Sequence, residues 1–353
     1  MQKDRYFFLP AYSLTPNSCV SYNKVFIRDY EKGIIKSINE FKTKRIKKNK
    51  NSKSLDNLKD NNHNFRISQS AKKNLKNKIN WLYYLSKSKR VKTYSGKEIY
   101  NFKIGFITLT LPSKQKDPTK FITNNLFNQF LTEIRQRTKM ENYVWRLEFQ
   151  KNKNVHYHIV TDTYIDYHLV LKIWNRILDN YGYIKPYTEK HNKLSLRDYN
   201  SMYNSNDKIA FEVMAKRYAK GKKENWSNPP TVDCKSVITN KSIAFYISKY
   251  FNKENENNPI CNDLDNFENS TNLRLWFCSR SLSKLNKVSG FCDELQEDIF
   301  SLVHSIKEKI SISLKYAFCM YFDLSQASNN VKKILNKIFR NYSKELGYVP
   351  WSC

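Results

Sequence analysis

The sequence has few of the residues and motifs on which several large protein classes depend. Its 7 glycines are not arranged as G-x-x-x-x-G-K-[S/T] or G-x-G-x-x-G, which excludes the P-loop and the dinucleotide-binding fingerprint. Its 7 cysteines are scattered without a C-x-x-C pair, which disfavours a zinc finger and a disulfide framework. No apolar run approaches about 18 residues, and the first residues contain no adequate signal-peptide core. We therefore expect a soluble cytoplasmic protein with no membrane partner and no nucleotide cofactor.

Acidic residues are scarce relative to basic ones. The chain has 62 Lys and Arg against 32 Asp and Glu, which gives a net charge of +30, and such an excess indicates a polyanionic partner, most often nucleic acid. Aromatic residues make up 14% of the chain. Aromatic and basic side chains together suit single strands, because bases stack on rings while lysines and arginines follow the phosphates. An AT-rich genome would produce a similar composition.

Periodicity predicts three parts. These are an N-terminal arm over 1–69 with a basic low-complexity loop at about 41–63, a central domain over 70–285 with an insertion at about 183–230, and a mixed C-terminal module over 286–353. Residues 102–181 alternate as strand, helix, strand, strand, helix, the first five elements of a split βαβ arrangement. Further strands are predicted at 232–238 and 273–279. The predicted fold class is therefore α+β, a central antiparallel sheet with helices packed on it and a mainly helical C-terminal region.

Two predicted helix positions can be checked directly. Asp117 and Pro118 are typical of a helix start, with Asp117 as the N-cap and Pro118 at the first helical position. Within the polar insertion, the pattern predicts one helix near 207–219.

A predicted β-hairpin carries the most informative residues. Residues 143–150 and 155–160 both alternate between apolar and polar side chains around a polar turn, which is typical of two antiparallel strands. If Trp145 and Tyr157 face the core, Glu148, His156 and His158 converge on the opposite face. Two imidazoles and a carboxylate in an open arrangement form a divalent-metal site with room for a substrate oxygen. Simple solvent exposure of the two histidines is the alternative.

Residues 241–253 predict an amphipathic helix. Tyr246, Lys249, Tyr250 and Lys253 share one face at helical spacing, opposite a face of apolar residues. Two tyrosines one turn apart more often pack than react. The two lysines, however, indicate that this face is wet and positively charged.

These motifs together resemble a known family. His156-Tyr157-His158 resembles the metal-binding motif of the HUH single-strand endonucleases, and residues 106–112 are similar to the first motif of their replication initiators. Residues 246–253 resemble the two-tyrosine signature of initiators from microvirus-type single-stranded DNA phages, and residues 276–282 resemble a tract that follows it. The resemblance covers roughly 70–285, with the motifs in the family's order.

The resemblance implies an RRM-like HUH endonuclease fold and site-specific nicking of one DNA strand. It implies a divalent metal ion, Mg²⁺ or Mn²⁺, on Glu148, His156 and His158. Tyr246 or Tyr250 would attack the scissile phosphate and form a 5′-phosphotyrosine. Using both tyrosines in turn would allow strands to be rejoined during rolling-circle replication of a phage genome.

Further roles follow for basic residues and partners. Lys249 and Lys253 would supply a positive field that activates the attacking phenol. Three arginines are predicted to contact DNA: Arg146, Arg274 and Arg280. The expected partners are single-stranded DNA at a replication origin and a host helicase and polymerase, in the cytoplasm of a bacterial host.

Other functions remain open at this point. The same chemistry would serve an initiator of a rolling-circle plasmid or a transposase-like relative. A protein of a different class, a non-catalytic basic protein that binds single-stranded nucleic acid with structural histidines, also fits the composition. A zinc-dependent RNA-binding protein is disfavoured by the cysteine pattern.

Overall fold

The computed structural model describes residues 5–29, 34–37, 67–204, 208–237, 273–291, 294–315 and 317–350. The predicted basic loop and the predicted helix over 241–253 lie outside the described residues. The chain divides into two compact units, one of residues 1–63 and 280–349 and the other of residues 64–279 and 350–353. None of the helices that the structure describes is long and apolar enough to cross a membrane.

The first unit begins with two long antiparallel strands. Strand β1 (Arg5–Thr15) turns directly into β2 (Ser18–Asp29), and the short strand β3 (Ile34–Ser37) pairs with the far end of β2. The N-terminal segment predicted as an arm therefore supplies the strands of a sheet.

The second unit follows in the chain. Its helices and strands are α1 (Gln69–Leu85), β4 (Lys89–Lys92), β5 (Glu98–Phe102), β6 (Ile104–Thr110), α2 (Thr119–Phe121), a π-helical segment (Ile122–Phe127), α3 (Asn128–Thr138), β7 (Tyr143–Phe149), β8 (Val155–Thr161), α4 (Tyr167–Asn180), α5 (Ile184–Asn192), α6 (Leu196–Tyr203), α7 (Phe211–Lys223), β9 (Val232–Val237) and β10 (Trp276–Cys278). Strands β4 and β5 form a separate hairpin.

The main sheet of the second unit is antiparallel, with strand order β10-β7-β8-β6-β9. The chain order β6, α2–α3, β7, β8, α4, β9 is that of a split βαβ unit, and β10 is added at the edge beside β7. The predicted α+β class with a central antiparallel sheet is confirmed.

One face of this sheet forms the core of the second unit together with the helices after β6 and β8. The buried side chains include Ile107, Leu109, Trp145, Leu147, Tyr157 and Ile159 of the strands, and Ile122, Leu126, Phe127, Phe130, Ile134, Val170, Ile173, Trp174 and Ile177 of the helical segments. The ring of Phe127 stacks on that of Tyr157 with centroids 4.0 Å apart. On the opposite face, Phe106, Val144 and Val160 are also buried, and the polar side chains lie further along the same strands, around His158.

The helix after β6 begins one residue later than predicted. Pro118 is its N-cap, with extended backbone, and helix α2 begins at Thr119. The carboxylate of Asp117 instead accepts a hydrogen bond of 2.8 Å from the hydroxyl of Tyr183. The Asp117 side chain, which the local pattern predicts to cap the helix, is instead bonded to Tyr183 from a distant part of the chain.

The insertion contains the helix predicted near 207–219 as α7, which spans Phe211–Lys223, together with two further helices, α5 and α6. His191 of α5 is buried against Tyr203 of α6 and against Trp226, and its Nδ1 lies 2.8 Å from the carbonyl oxygen of Tyr187. Since a carbonyl only accepts, Nδ1 carries the proton, and Nε2 accepts from the Tyr203 hydroxyl 2.6 Å away. Burial lowers the pKa of His191, so this histidine is a neutral structural residue.

The chain then returns to the first unit. Its remaining elements are α8 (Arg280–Lys284), β11 (Val288–Phe291), α9 (Glu294–His304), β12 (Lys309–Leu314), β13 (Ala317–Phe322), a 3₁₀ turn (Leu324–Gln326) and α10 (Asn329–Glu345). The strand order of the sheet is β11-β1-β2-β13-β12. The predicted N-terminal arm and C-terminal module therefore share one sheet. Local sequence patterns could not predict this pairing, because the paired strands are far apart in the sequence.

A partly buried lysine makes the stability of the second unit depend on pH. Lys103 lies between β5 and β6, with its ammonium 3.6 Å from the ring centroid of Tyr83. Burial lowers the pKa of Lys103 to about 8. Because the unfolded chain holds this proton up to a pKa of about 10.4, the free energy of unfolding should rise as the pH increases from about 8 to about 10.4.

Replacing Lys103 with methionine should remove this rise and stabilise the protein at pH 7 by about 1–3 kcal/mol. Urea unfolding at several pH values between 7 and 10, compared with the exposed-lysine variant Lys97→Met, measures the effect. Parallel pH profiles for wild type and Lys103→Met would contradict it.

Candidate active site

The predicted hairpin is present, and its register determines which side chains meet. Glu148 pairs with His156, and Arg146 pairs with His158. At the turn, the amide of Gln150 bonds to the carbonyl of Asn154 at 2.9 Å, and Lys153 has a left-handed backbone with φ 68°. A short loop of this kind fixes the register and therefore the face on which each side chain lies.

The polar residues form two rows across the face of the sheet opposite the core, which we call the polar face. One row runs through Trp276, Arg146, His158, Thr108 and Asp233, and the next contains Glu148, His156 and Thr110. Five strands thus contribute to the first row, with His158 at its middle.

His158 contacts a neighbour through each of its ring nitrogens. Its Nδ1 lies 3.2 Å from the hydroxyl oxygen of Thr108, and its Nε2 lies 3.2 Å from Oε2 of Glu148. The residue is only 8% exposed. The imidazole is therefore held between strands β6 and β7, with Nε2 directed to the carboxylate.

Glu148 is held from its other side by Arg146. A guanidinium nitrogen of Arg146 lies 3.2 Å from Oε1 of Glu148, and both side chains are largely buried. The two carboxylate oxygens are thus divided between an arginine and a histidine. Arg146 holds Glu148 in this structure, and its predicted contact with DNA stays a prediction.

His156 lies beside this assembly. Its ring centroid is 4.3 Å from that of His158, at an interplanar angle of 64°. Tyr157, between the two histidines, points into the core, where its hydroxyl lies 2.8 Å from that of Thr123. Anchoring Tyr157 fixes the backbone from which both imidazoles project.

The separation of the donor atoms permits a test of whether a metal ion fits. Adjacent ligands of an octahedral ion at about 2.0–2.1 Å lie about 3 Å apart, close to the 3.2 Å between Nε2 of His158 and Oε2 of Glu148. Within the described residues, however, no group of three His, Cys, Asp or Glu side chains is arranged to hold a metal ion. Glu148 and His158 therefore form the assembled part of the predicted site, with His156 adjacent.

The β10 edge of this face is less polar. Cys278 pairs with Val144, and burial raises the pKa of its thiol, an effect that the ammonium of Lys78 on α1 partly offsets. Burial in turn lowers the pKa of Lys78. A protonated thiol is not an activated nucleophile, so the chemistry of this face rests on the histidine rows.

The other predicted site residues are placed as follows. Arg274 is exposed, just before β10, with its guanidinium carbon 5.4 Å from the ring centroid of Phe277. Arg280 is exposed at the first position of α8 and belongs to the first unit. Tyr246, Lys249, Tyr250 and Lys253 lie outside the described residues.

Sequence reasoning did not assign roles to Thr108, Asp233 or Trp276. Thr108 lies in the segment 106–112 already singled out, and period-two alternation along β6 would place it on the polar face. Asp233 and Trp276 come from strands distant in sequence, and only the strand register brings them into the row.

A comparison with known families finds a match to a replication-associated family over part of the chain. Residues 104–255 match the family described as Replication-associated protein ORF2. This is a family of rolling-circle replication initiators, and the predicted resemblance to such initiators is confirmed over that segment, which is less than half of the 353-residue chain. No curated protein and no solved structure matches the chain.

Proposed function

We propose that this initiator nicks single-stranded DNA at an origin through tyrosine attack assisted by a metal ion, and rejoins strands during rolling-circle replication of a phage genome. The observation that supports this proposal best is the buried contact between His158 and Glu148 on the polar face, with His156 beside it. A carboxylate and imidazoles on one face of a sheet are suited to a divalent ion. A host helicase and polymerase are proposed partners, in the bacterial cytoplasm.

The proposed metal ligands are Glu148, His156 and His158. When bound, Mg²⁺ or Mn²⁺ would act as a Lewis acid toward the scissile phosphate. The residues around the ligands have positioning roles: the Thr108 hydroxyl orients the His158 ring, and the Arg146 guanidinium holds the Glu148 carboxylate. Such outer partners fix ligand geometry in metal sites generally.

Tyr246 and Tyr250 are the proposed nucleophiles. The phenol oxygen forms a bond to phosphorus while the bond from phosphorus to the 3′ oxygen breaks, leaving a 5′-phosphotyrosine and, after protonation, a free 3′-hydroxyl. A free phenol has a pKa of about 10, so a cation such as Lys249 or Lys253 is needed to favour the phenolate. Because one phosphodiester bond is exchanged for another, the bond energy is kept in the covalent intermediate. Rejoining therefore needs no ATP.

An adduct assay tests this function. Wild-type protein is mixed with a single-stranded origin oligonucleotide labelled at its 3′ end and with Mn²⁺ or Mg²⁺, and covalent complexes are resolved on a denaturing gel. We expect an adduct that EDTA abolishes. Single Tyr246→Phe and Tyr250→Phe variants then show which tyrosine carries the label.

The result also separates the alternatives. Binding without any adduct would identify a non-catalytic single-strand-binding protein. An adduct on plasmid-type or transposon-end DNA, with none on a phage origin, would assign the same chemistry to a plasmid initiator or a transposase-like relative.

The Thr108 contact leads to a prediction of its own. Thr108→Val keeps the side-chain shape but removes the hydroxyl that orients His158, and we expect about a 10–100-fold loss of metal affinity, the usual effect of losing such a partner. Titration of Mn²⁺ binding by calorimetry measures it. The matched control is Thr138→Val, because Thr138 donates its hydroxyl to the carbonyl of Ile134 on a helix of the core side. Equal Mn²⁺ affinities in both variants would rule out this role.

A further inference from the structure

The sheet of the first unit has one face that combines exposed aromatic and aliphatic side chains. Register places the following residues on this face, which we call the open face: Leu9, Tyr22, Lys24, Phe26, Phe291, Ile310, Ile312, Leu314 and Tyr321. Phe291 is 45% exposed and Tyr321 is 44% exposed. The opposite face contains Leu14, Cys19 and Met320, all fully buried, so the first unit has its core on that side.

Lysines lie among the rings of the open face. The ring centroids of Phe26 and Phe291 are 5.6 Å apart, and the ammonium of Lys24 lies 5.4 Å from the first and 5.2 Å from the second. The ammonium of Lys287 lies 5.8 Å from the ring centroid of Tyr22. Cations beside accessible rings can bind phosphate while the rings remain available to bases.

We propose that the open face is a second binding surface for single-stranded DNA, separate from the polar face that carries the predicted chemistry. Unpaired bases would stack on Phe291, Tyr321 and Tyr22, and Lys24 and Lys287 would contact the backbone phosphates. Charge complementarity favours this occupant over a protein, because Lys24 lies on the open face and Lys287 beside it, while the residues that define this face include no carboxylate. The choice of DNA as the ligand rests on the proposed function, whereas the surface itself requires no cleavage.

Binding of a labelled oligothymidylate to the full-length chain, followed by fluorescence anisotropy in EDTA, tests the proposal without cleavage. Phe291→Ala and Tyr321→Ala should each weaken binding by at least about fivefold, as expected when a stacking ring is lost, and Phe291→Trp should retain wild-type affinity. The matched control is Phe8→Ala, since Phe8 is 61% exposed on the other face of the same sheet.

Salt dependence tests the lysines. The double variant Lys24→Ala/Lys287→Ala should make the plot of log affinity against log salt shallower by about 1.4, from about 0.7 for each phosphate contact to a single strand. Unchanged slope and unchanged affinities in the ring variants would overturn the proposal. If the ring variants instead changed the oligomeric state of the chain with DNA affinity unaltered, the face would be assigned to a second copy of the chain. Absence of an adduct in wild type would defeat the proposed nicking alone, because the binding assay does not depend on it.

Discussion

Replacing Tyr246 and Tyr250 together with phenylalanine is expected to abolish nicking, by at least about a thousandfold, while binding of the origin strand remains within about twofold of wild type. The reason is chemical, since the phenol oxygen is the atom that becomes bonded to phosphorus and phenylalanine has none. The aromatic ring is kept, so stacking and packing by these residues change little. Single-turnover cleavage of an end-labelled oligonucleotide and anisotropy in EDTA measure the two quantities.

Each single variant should retain partial activity if the two tyrosines exchange roles. Tyr94→Phe is the matched control for the loss of one exposed phenol, because Tyr94 is 85% exposed and lies away from the histidine rows. Persistent cleavage in the double variant would show that another group attacks, and the assignment of both tyrosines would be wrong.

The second large effect is expected at His158. His158→Ala removes the nitrogen that faces Glu148, and we expect cleavage to slow by about a hundredfold to ten-thousandfold. Lewis-acid stabilisation of a phosphoryl transition state is worth several kcal/mol, and each 1.36 kcal/mol changes the rate tenfold. Mn²⁺ affinity, measured by calorimetry on the same protein, should fall in parallel.

His168→Ala is the control, because His168 is an exposed histidine on α4 of the same unit. Circular dichroism and the urea midpoint establish whether His158→Ala is folded. A folded variant with wild-type Mn²⁺ affinity and cleavage rate would show that this buried imidazole is structural. A structural role for the histidines is what the non-catalytic alternative predicts.

Local periodicity was sufficient to predict the hairpin and the convergence of its polar residues. Trp145 and Tyr157 are buried, while Glu148 and His158 meet on the other face, because period-two alternation on two paired strands leaves one arrangement that buries the aromatic row. The order of strands and helices around the hairpin was also predictable from the spacing of apolar residues along each segment.

Tertiary pairing accounts for what the sequence did not reveal. Arg146 reads as an exposed basic residue on a polar face, yet packing in the folded unit leaves it only 5% exposed, in an ion pair with Glu148. Asp117 reads as a helix cap, yet a tyrosine from a distant segment takes its carboxylate. The N-terminal strands show alternation too weak to identify until their partners near residue 320 are known.

The sheet of the first unit also constrains how the chain is made. Strand β2 pairs with β13 and β1 pairs with β11, so β1 and β2 are translated before their partners, which follow residues 64–279 in the sequence. The intervening segment can fold before β11 and β13 are translated, since β10 is the last strand that its own sheet needs. A premature stop before β13 would leave β2 with an open edge, and the truncated product would be exposed to strand-mediated aggregation.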